Sequence, residues 1–492
     1  MGKDLVNAVF SPHDRVLFRR KVRDCLDVLG RMLDAEAFEP GHRTTGLEIE
    51  INLVDADAGP TMRNAEILAD LADPCFQAEL GKFNLEFNVP PRSIAGDGLG
   101  AYERDILDGL RRASECARKG ESRLALIGML PTLSPGHLVL GNLSAGERYQ
   151  ALNSEISGAR GDVFQIDITG LERFEGSSDS IAPEAACTSV QFHLQVAPPD
   201  FARFWNASQA LAAAQVALGA NSPFLHGRRL WAETRIAFFE QATDPRPDEF
   251  KAQGVRPRVW FGEQWITSVF DLYEENIRFF PPLLPELSDE DPVEVWENGK
   301  IPHLYELRLH NGTVYRWNRP VYDVTGGRPH LRIENRVLPS GPTVVDLLAN
   351  AAFYFGAVAE LADEDCPIWQ HLEFPVAAEN FRTGARDGLE AAVCWPGRGE
   401  VPVAELILDT LLPKAYAGLD RFGVHPAQRD RLLGIVEARC RSRRNGAAWQ
   451  TEAVRAAEET RGLDRYAAVR DMTQRYVDLQ RTNEPVHTWP VG

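Results

Sequence analysis

Several familiar patterns are missing from this sequence of 492 residues, and each absence excludes a class of protein. No segment approaches the roughly 18 apolar residues of a membrane-spanning helix, and the first residues show no signal-peptide cleavage pattern. The seven cysteines are scattered and form no Cys-x-x-Cys pair, which favours reduced intracellular thiols over a disulfide framework or a zinc site. We therefore expect a cytoplasmic protein that has no membrane partner.

Three catalytic motifs and an excess of basic residues are also absent. The sequence has no Gly-x-x-x-x-Gly-Lys-Ser/Thr loop, no Gly-x-Ser-x-Gly elbow and no His-Glu-x-x-His helix. These absences exclude the simplest P-loop, hydrolase and zinc-protease interpretations. The formal net charge is -18, and a field of that sign repels polyanions. No nucleic-acid partner is expected, and any phosphate-bearing ligand must meet local cations or a metal ion.

What is present is the composition of an ordinary globular protein, with 44% hydrophobic and 25% charged residues. No Gly/Ser-rich or Pro-rich linker and no internal repeat divides the chain. We therefore predict that residues 1–492 form a single unit. Its sheet core is expected at about residues 40–340, and an integral, mainly helical C-terminal part is expected at about residues 343–492.

Hydrophobic periodicity predicts both helices and strands. Helical spacing of apolar residues marks some segments, and strict alternation of apolar and polar residues marks others. Strands outnumber clean strand–helix–strand repeats, so we predict an α+β fold with a mixed or antiparallel sheet and helices around it. The predicted helices are Asp14–Leu33, Asn64–Leu71, Leu99–Arg118, Phe201–Leu218, Val344–Ala362 and several pieces within 403–479, and the predicted strands are 44–54, Lys82–Val89, Leu124–Leu130, Val190–Val196 and Arg332–Leu338.

Four of the predicted strands share one unusual design. Residues two apart in a strand point to the same face, so each of these strands has an apolar face and a polar face with ionisable groups. If the four strands lie in one sheet, its polar face holds Glu48, Glu50, Glu86, His193, Glu334 and the arginines Arg332 and Arg336.

This polar face has two interpretations. Taken strand by strand, it is the solvent-facing side of an amphipathic sheet. Taken together, it is a cation site, because clustered carboxylates repel one another unless they change protonation or bind a cation. Oxygen ligands with a single imidazole suit Mg²⁺ or Mn²⁺ better than zinc. Glu79 precedes the second strand, and the break at Gly81 allows its side chain to return to the same site.

Five stretches, in order along the chain, carry a resemblance to a known family. They are Gly46-Leu-Glu-Ile-Glu-Ile-Asn-Leu-Val-Asp, Glu79 and Glu86 seven residues apart, Ala186-Cys-Thr-Ser-Val-Gln-Phe-His-Leu-Gln-Val, Ala217-Leu-Gly-Ala-Asn-Ser-Pro-Phe and Leu331-Arg-Ile-Glu-Asn-Arg-Val. Together they resemble the bacterial glutamate–cysteine ligase type 2 family, also called the carboxylate–amine ligases. The resemblance extends from about residue 44 to 362, and residues 439–449 show a weaker resemblance to the same family.

The resemblance implies a glutamine-synthetase-like fold, in which a curved, mostly antiparallel sheet forms a funnel with an acidic inner face. Since no linker divides the chain, we expect it to form one catalytic unit. It implies that ATP phosphorylates the side-chain carboxylate of glutamate and that an amine, most simply cysteine, attacks the acyl phosphate. Small-molecule substrates and Mg²⁺ or Mn²⁺ are thus expected. The implied metal ligands are Glu48, Glu50, Glu79, Glu86, His193 and Glu334.

Phosphoryl transfer also needs fixed cations near the phosphate oxygens, and a guanidinium binds a phosphate or carboxylate with two hydrogen bonds. Each candidate arginine has a rival role in an ordinary ion pair. The basic run from Arg439 to Arg444 is interpreted either as a phosphate contact or as a solvated loop. The predicted catalytic residues are Arg235, Arg319 and Arg336, and the predicted nucleotide-binding residues are Arg319, Arg332 and Arg336.

Two alternatives to this function stay open at the level of sequence. The first keeps the ligase chemistry but changes the acceptor to another amino acid, a polyamine or part of a natural-product precursor, since acceptor pockets are built from loops. The second is a regulatory protein that binds nucleotide and metal without turnover, and the intact acids at every matched position argue against it. Oligomeric state cannot be read from the sequence, so a homo-oligomer stays open.

Overall fold

The computed structural model describes residues 10–40 and 44–492. Residues 1–9, where the sequence shows no signal-peptide pattern, lie outside the described residues. The helices are α1 Pro12–Asp34, α2 Asn64–Leu71, α3 Gly98–Lys119, α4 Glu147–Arg160, α5 Pro198–Gly219, α6 Thr234–Ala242, α7 Asp248–Ala252, α8 Val269–Phe279, α9 Pro292–Glu297, α10 Tyr305–Asn311, α11 Val344–Asp363, α12 Phe374–Asp387, α13 Val403–Leu406, α14 Leu412–Arg421, α15 Pro426–Ser442, α16 Gly446–Arg461 and α17 Arg465–Gln480. The strands are β1 Thr45–Val54, β2 Phe76–Ala78, β3 Asn84–Arg92, β4 Arg123–Ala125, β5 Phe164–Thr169, β6 Arg173–Ser178, β7 Val190–Gln195, β8 Phe224–Leu225, β9 Arg228–Arg229, β10 Val259–Trp260, β11 Tyr315–Arg316, β12 Asn318–Thr325, β13 Arg328–Asn335, β14 Ala392–Trp395 and β15 Gly399–Pro402.

The largest sheet has seven strands. Six follow the order β12-β13-β7-β1-β3-β2, and the short strand β4 pairs with the end of β1. Every pairing in this sheet is antiparallel. The sheet is curled, and helices pack against it. The predicted α+β class, with a curved antiparallel sheet and helices outside it, is confirmed.

The apolar face of this sheet packs on three helices. Alternation along β1 leaves Leu47, Ile49 and Ile51 almost fully buried. Helix α3 lies against β3 at Gly109, where an added Cβ would come within 2.5 Å of the Phe87 ring. Helices α5 and α11 lie against β13 and β7. Because side chains alternate in a strand, the polar residues of the same strands point to the opposite side.

Helix α11 corrects one expectation from the sequence. The expectation that no segment approaches a membrane-spanning helix is wrong for α11, which is long and apolar enough by length and composition alone. However, 94% of its apolar 18-residue window is buried inside the protein. It packs so closely on α14 that a Cβ added at Gly418 would lie 1.9 Å from the Gly356 carbonyl oxygen. The apolar side chains of α11 are therefore part of the protein core.

Two predicted strands end earlier than their sequence patterns. Strand β4 ends at Ala125, because Leu126 donates its N–H to the side chain of Gln480 rather than to a neighbouring strand. Strand β13 ends at Asn335, and the next residue, Arg336, donates its N–H to the carbonyl of Trp317. Arg336 therefore lies one residue beyond the end of β13.

Candidate active site

A cavity of about 720 Å³ lies over the polar face of the sheet. Strand register brings the predicted residues together there. Glu50 on β1 is opposite Glu86 on β3, and Glu334 on β13 is flanked by Arg319 on β12 and His193 on β7. The predicted residues that line the cavity are Glu48, Glu50, Glu79, Arg235, Arg319, Arg332, Glu334 and Arg336.

Three buried carboxylates meet at this face of the sheet. Carboxylate oxygens of Glu50, Glu79 and Glu86 lie within 4.8 Å of one another. Glu50 accepts hydrogen bonds from the backbone N–H of Ser189 at 2.5 Å and from Gln191 Nε2 at 3.0 Å. The buried Oε2 atom of Glu79 has no hydrogen-bond partner among the described residues. A buried acceptor in that condition is expected to meet a cation or a donor when the site is in use.

Burial and mutual repulsion both disfavour full ionisation of these carboxylates. Burial raises the pKa of Glu50 to about 7, although Arg336 opposes the rise, and the nearby Glu86 adds to it. Burial also raises the pKa of Glu79 well above its ordinary value, with further contributions from Glu86 and Glu50. Carboxylates held this close share protons or bind a cation. Because the donors are all oxygen, this set fits Mg²⁺ or Mn²⁺ better than zinc.

Glu334 holds two arginines in place. Its Oε1 atom lies 2.8 Å from Arg319 Nη2 and 2.5 Å from Arg336 Nη1. Burial alone would raise the pKa of Glu334, but the two guanidinium groups outweigh burial and hold that pKa well below its ordinary range. Burial alone would lower the pKa of Arg336, but the Glu334 and Glu50 carboxylates raise it overall. Glu334 therefore orients both guanidinium groups on the cavity wall.

His193 contacts Glu48 and Arg332 and is not among the residues that line the cavity. Its Nε2 atom lies 3.1 Å from Glu48 Oε1, and its Nδ1 atom accepts a hydrogen bond from Arg332 Nε at 3.2 Å. Burial alone would raise the pKa of Glu48, but His193 outweighs burial and lowers it to about 2. These contacts orient Glu48. Metal ligation by His193 stays a prediction.

Arg235 borders the cavity, but its guanidinium is held by the protein itself. Its Nε atom lies 2.9 Å from Glu233 Oε1, and both side chains are buried. Its Nη2 atom donates to the carbonyl oxygen of Val337, the residue after Arg336. The observed contacts therefore fix the chain that presents Arg336. The catalytic role predicted for Arg235 stays a prediction.

Residues 44–459, which include the seven-stranded sheet, match the family profile described as glutamate-cysteine ligase family 2 (GCS2). The chain belongs to glutamate-cysteine ligase family 2. It is an ATP-dependent carboxylate–amine ligase. No curated protein matches its sequence closely enough to be counted as a relative.

Solved structures of two ligases share the fold of this GCS2 member. A glutamate–cysteine ligase from Francisella tularensis, in complex with AMP, matches with a TM-score of 0.52 and 11% identity over 93% of this chain and 91% of that chain. A bifunctional glutathione synthetase from Pasteurella multocida matches with a TM-score of 0.52 and 14% identity over 92% of this chain and 53% of that chain. This chain thus spans about half of the Pasteurella protein. At these identities the likeness shows the fold alone.

The cavity of this ligase also contains residues that sequence analysis missed. Arg148 comes from α4, and Glu184 comes from a short 3-10 helix, Ala182–Ala186. Neither carried a signal, because residues of helices and loops have no strand alternation that assigns them to the polar face. The sequence could have revealed Asp323 on β12, because an alternating segment followed by Gly326-Gly327 is typical of a β-hairpin.

The basic run at the end of α15 lies away from this cavity. Arg439 is buried and forms an ion pair with Asp346 of α11 at 2.7 Å. Arg443 and Arg444 are not among the cavity-lining residues. Arg439 is thus neither a phosphate contact nor part of a solvated loop, because its charge is neutralised between two helices.

Proposed function

We propose that this ligase joins the side-chain carboxylate of glutamate to the amine of cysteine, through an acyl phosphate formed with ATP, to give γ-glutamylcysteine. The observation that carries the proposal is that the carboxylates of Glu50, Glu79 and Glu86 meet at the sheet face under the cavity, whose wall also holds Arg319 and Arg336 in contact with Glu334. Family membership supports the ligase chemistry, and the name of the Francisella protein supports this pair of substrates.

The carboxylates of this face are the proposed ligands of Mg²⁺ or Mn²⁺. Glu50, Glu79 and Glu86 form the centre of the site, because their oxygens already lie within 4.8 Å of one another. Glu48, His193 and Glu334 complete the proposed set. A bound divalent cation would neutralise charge on the phosphate oxygens and polarise the phosphorus centre. The unpartnered Oε2 atom of Glu79 supports a cation at this position.

In the first proposed step, a carboxylate oxygen of the substrate bonds to the γ-phosphorus of ATP, and the bond from that phosphorus to the bridging oxygen breaks to release ADP. Arg319 and Arg336 stabilise the charge that develops on the transferred phosphoryl group, because their guanidinium groups are held in place by Glu334. Arg332, held by Asp323 at 3.3 Å, is the proposed contact to the remaining phosphates. AMP bound to the Francisella ligase supports nucleotide binding in this fold.

In the second proposed step, the amine nitrogen attacks the acyl carbon, the C–N bond forms, and phosphate leaves with the electrons of the C–O bond. The buried aromatic side chains of Tyr315 and Trp317 line the cavity, and they are the proposed means of limiting water at the acyl carbon. Exclusion of water protects an acyl phosphate from hydrolysis.

Mass spectrometry of the products tests the substrates directly. The protein is incubated with Mg²⁺, ATP, glutamate and a pool of amines that includes cysteine, polyamines and other amino acids. We expect γ-glutamylcysteine and one ADP for each amide formed. Formation of AMP and pyrophosphate would contradict the acyl-phosphate route, and an amide with a different amine would replace cysteine as the acceptor.

Substitution of one ligand tests the proposed metal site. We expect Glu50→Gln to reduce turnover by about 100-fold or more, a size typical of the loss of one charge-stabilising group, while circular dichroism shows a folded protein. The matched control is Glu115→Gln, an exposed carboxylate on α3 that pairs with Arg111. Near-normal turnover of Glu50→Gln would remove Glu50 from the metal site.

A further inference from the structure

The second step of the proposed reaction needs a proton acceptor. An α-amine has a pKa of roughly 8, so at neutral pH most of it is an ammonium ion without a free lone pair. One proton must leave the nitrogen before it can attack the acyl carbon. A carboxylate on the cavity wall that is free of other partners is suited to this role.

Most acids of the described cavity wall are occupied by protein partners. Glu48 contacts His193, Glu334 holds two arginines, and Asp323 pairs with Arg308 at 2.9 Å. Glu290 accepts hydrogen bonds from backbone N–H groups. An acid that is already bound to cations or N–H groups accepts a further proton poorly.

Glu184 differs from these acids. It lines the cavity from the 3-10 helix Ala182–Ala186, on a separate element from the sheet. Its side chain forms no hydrogen bond or ion pair with the residues that the structure describes. It is half-buried, so a substrate group can reach it through the cavity.

The charges that face Glu184 come from several elements. Burial raises the pKa of Glu184 to about 7, Arg336 opposes the rise, Glu50 of β1 adds to it, and Arg148 of α4 opposes it. The Tyr315 hydroxyl of β11 and the Glu79 carboxylate also lie within its electrostatic reach. A carboxylate in these surroundings exchanges protons near neutral pH, where a general base works best.

We infer that Glu184 is the general base that accepts a proton from the attacking amine, an assignment that rests on the proposed function. One ammonium proton moves to the Glu184 carboxylate, and the freed nitrogen lone pair forms the C–N bond. The acyl C–O bond then breaks, its electrons leave with phosphate, and the second nitrogen proton leaves with that phosphate. Glu184 returns its proton to solvent and is ready for the next turnover.

Hydroxylamine, used in place of the amine, distinguishes proton removal by Glu184 from formation of the acyl phosphate. It is mostly uncharged at neutral pH, so it attacks an acyl phosphate without a base and gives a hydroxamate. For Glu184→Gln we expect amide formation with an amino-acid acceptor to fall by about 100-fold, the size of a lost general base, and hydroxamate formation to stay within about threefold of the wild-type rate. The lost amide activity should return as the pH rises and the free amine increases.

Three comparisons complete the experiment. Glu175→Gln, an exposed carboxylate on β6, is the matched control and should leave both reactions unchanged. Glu184→Asp should regain part of the amide activity. The Mg²⁺ concentration that gives half-maximal hydroxamate formation should be the same in Glu184→Gln and wild type.

Each contrary result has a different meaning. Equal loss of amide and hydroxamate in Glu184→Gln, or a changed Mg²⁺ requirement, would overturn the general-base assignment and place Glu184 in phosphoryl transfer. Unchanged rates with both acceptors would also overturn it. A wild-type protein that forms neither product would instead overturn the proposed function itself.

Discussion

Individual glutamates of the active site behave differently because their neighbours differ. Glu334 faces two guanidinium groups, which lower its pKa well below the ordinary range despite burial. Glu50 faces another carboxylate in addition to Arg336, and burial raises its pKa to about 7. The same carboxylate is therefore held ionised at one position, and at the other it is protonated more readily unless a cation is bound.

A buried histidine gives a pH prediction at the residue scale. His310 of α10 is buried, and its Nε2 atom lies 3.0 Å from the Asn276 carbonyl oxygen. Burial lowers the pKa of His310 to about 4, against a smaller rise from Asn276. Since the unfolded chain binds this proton at about pH 6.5 and the folded protein does not, stability is full above pH 6.5 and is lost as the pH falls towards 4.

Between pH 6.5 and 5, His310 is expected to lower the free energy of unfolding by about 2 kcal/mol. Urea denaturation at several pH values measures this slope, and His310→Asn should reduce it. The control His13→Asn, at an exposed position of α1, should leave the slope unchanged. An identical slope in His310→Asn and wild type would show that another group causes the acid sensitivity.

At the scale of elements, ion pairs between helices organise the C-terminal part. Arg439 of α15 pairs with Asp346 in the first turn of α11 at 2.7 Å and donates to Asn350 Oδ1 at 2.6 Å. The side chain of Thr343 caps the same helix by accepting the N–H of Asp346. Removal of one member of such a buried pair leaves the other charge without compensation.

Arg439→Gln should therefore lower the free energy of unfolding by about 3 kcal/mol or more, because it leaves the buried Asp346 carboxylate without its counter-charge. The matched control is Arg441→Gln, since Arg441 is 68% exposed and pairs with Glu437 on its own helix. Thermal unfolding compares the two variants with wild type, and the KM for ATP should be unchanged in both. A raised KM with normal stability in Arg439→Gln would restore the phosphate-contact interpretation.

At the scale of the whole molecule, one hydrophobic cluster extends from Phe18 of α1 to Trp489 near the C-terminus. It includes residues of the sheet and of the helices after residue 343. This continuity supports the prediction that the chain forms one catalytic unit.

Binding of a divalent cation should be visible in the stability of the whole molecule. At a Mg²⁺ concentration roughly 100-fold above its dissociation constant, linkage predicts about 2.7 kcal/mol of added stability. Thermal unfolding should show a higher Tm with Mg²⁺, and a chelator should reverse the rise. Glu79→Gln should reduce the rise, while Glu66→Gln, an exposed acid on α2, should retain it. An equal rise in all three proteins would place the bound Mg²⁺ elsewhere.

The sequence by itself determined the faces of the main strands and the chemistry of the site. Side chains in a strand alternate between its two faces, so the alternation of apolar and polar residues assigns Glu48, Glu86, His193 and Glu334 to the polar face. This assignment needs no knowledge of the adjacent strands. The helices α1, α2, α3 and α5 followed in the same way from apolar spacing. These features depend on residues within one segment, so the sequence alone is enough to predict them.

Only the tertiary structure decided which of these side chains meet. Strand order and register place Glu50 opposite Glu86, and the early end of β13 turns Arg336 towards Glu334. Glu184 reaches the cavity from a helix that no alternation marks, and the position of Arg439 depends on the distant Asp346. Such contacts arise from the packing of segments far apart in the chain, and spacing within one segment carries no information about them.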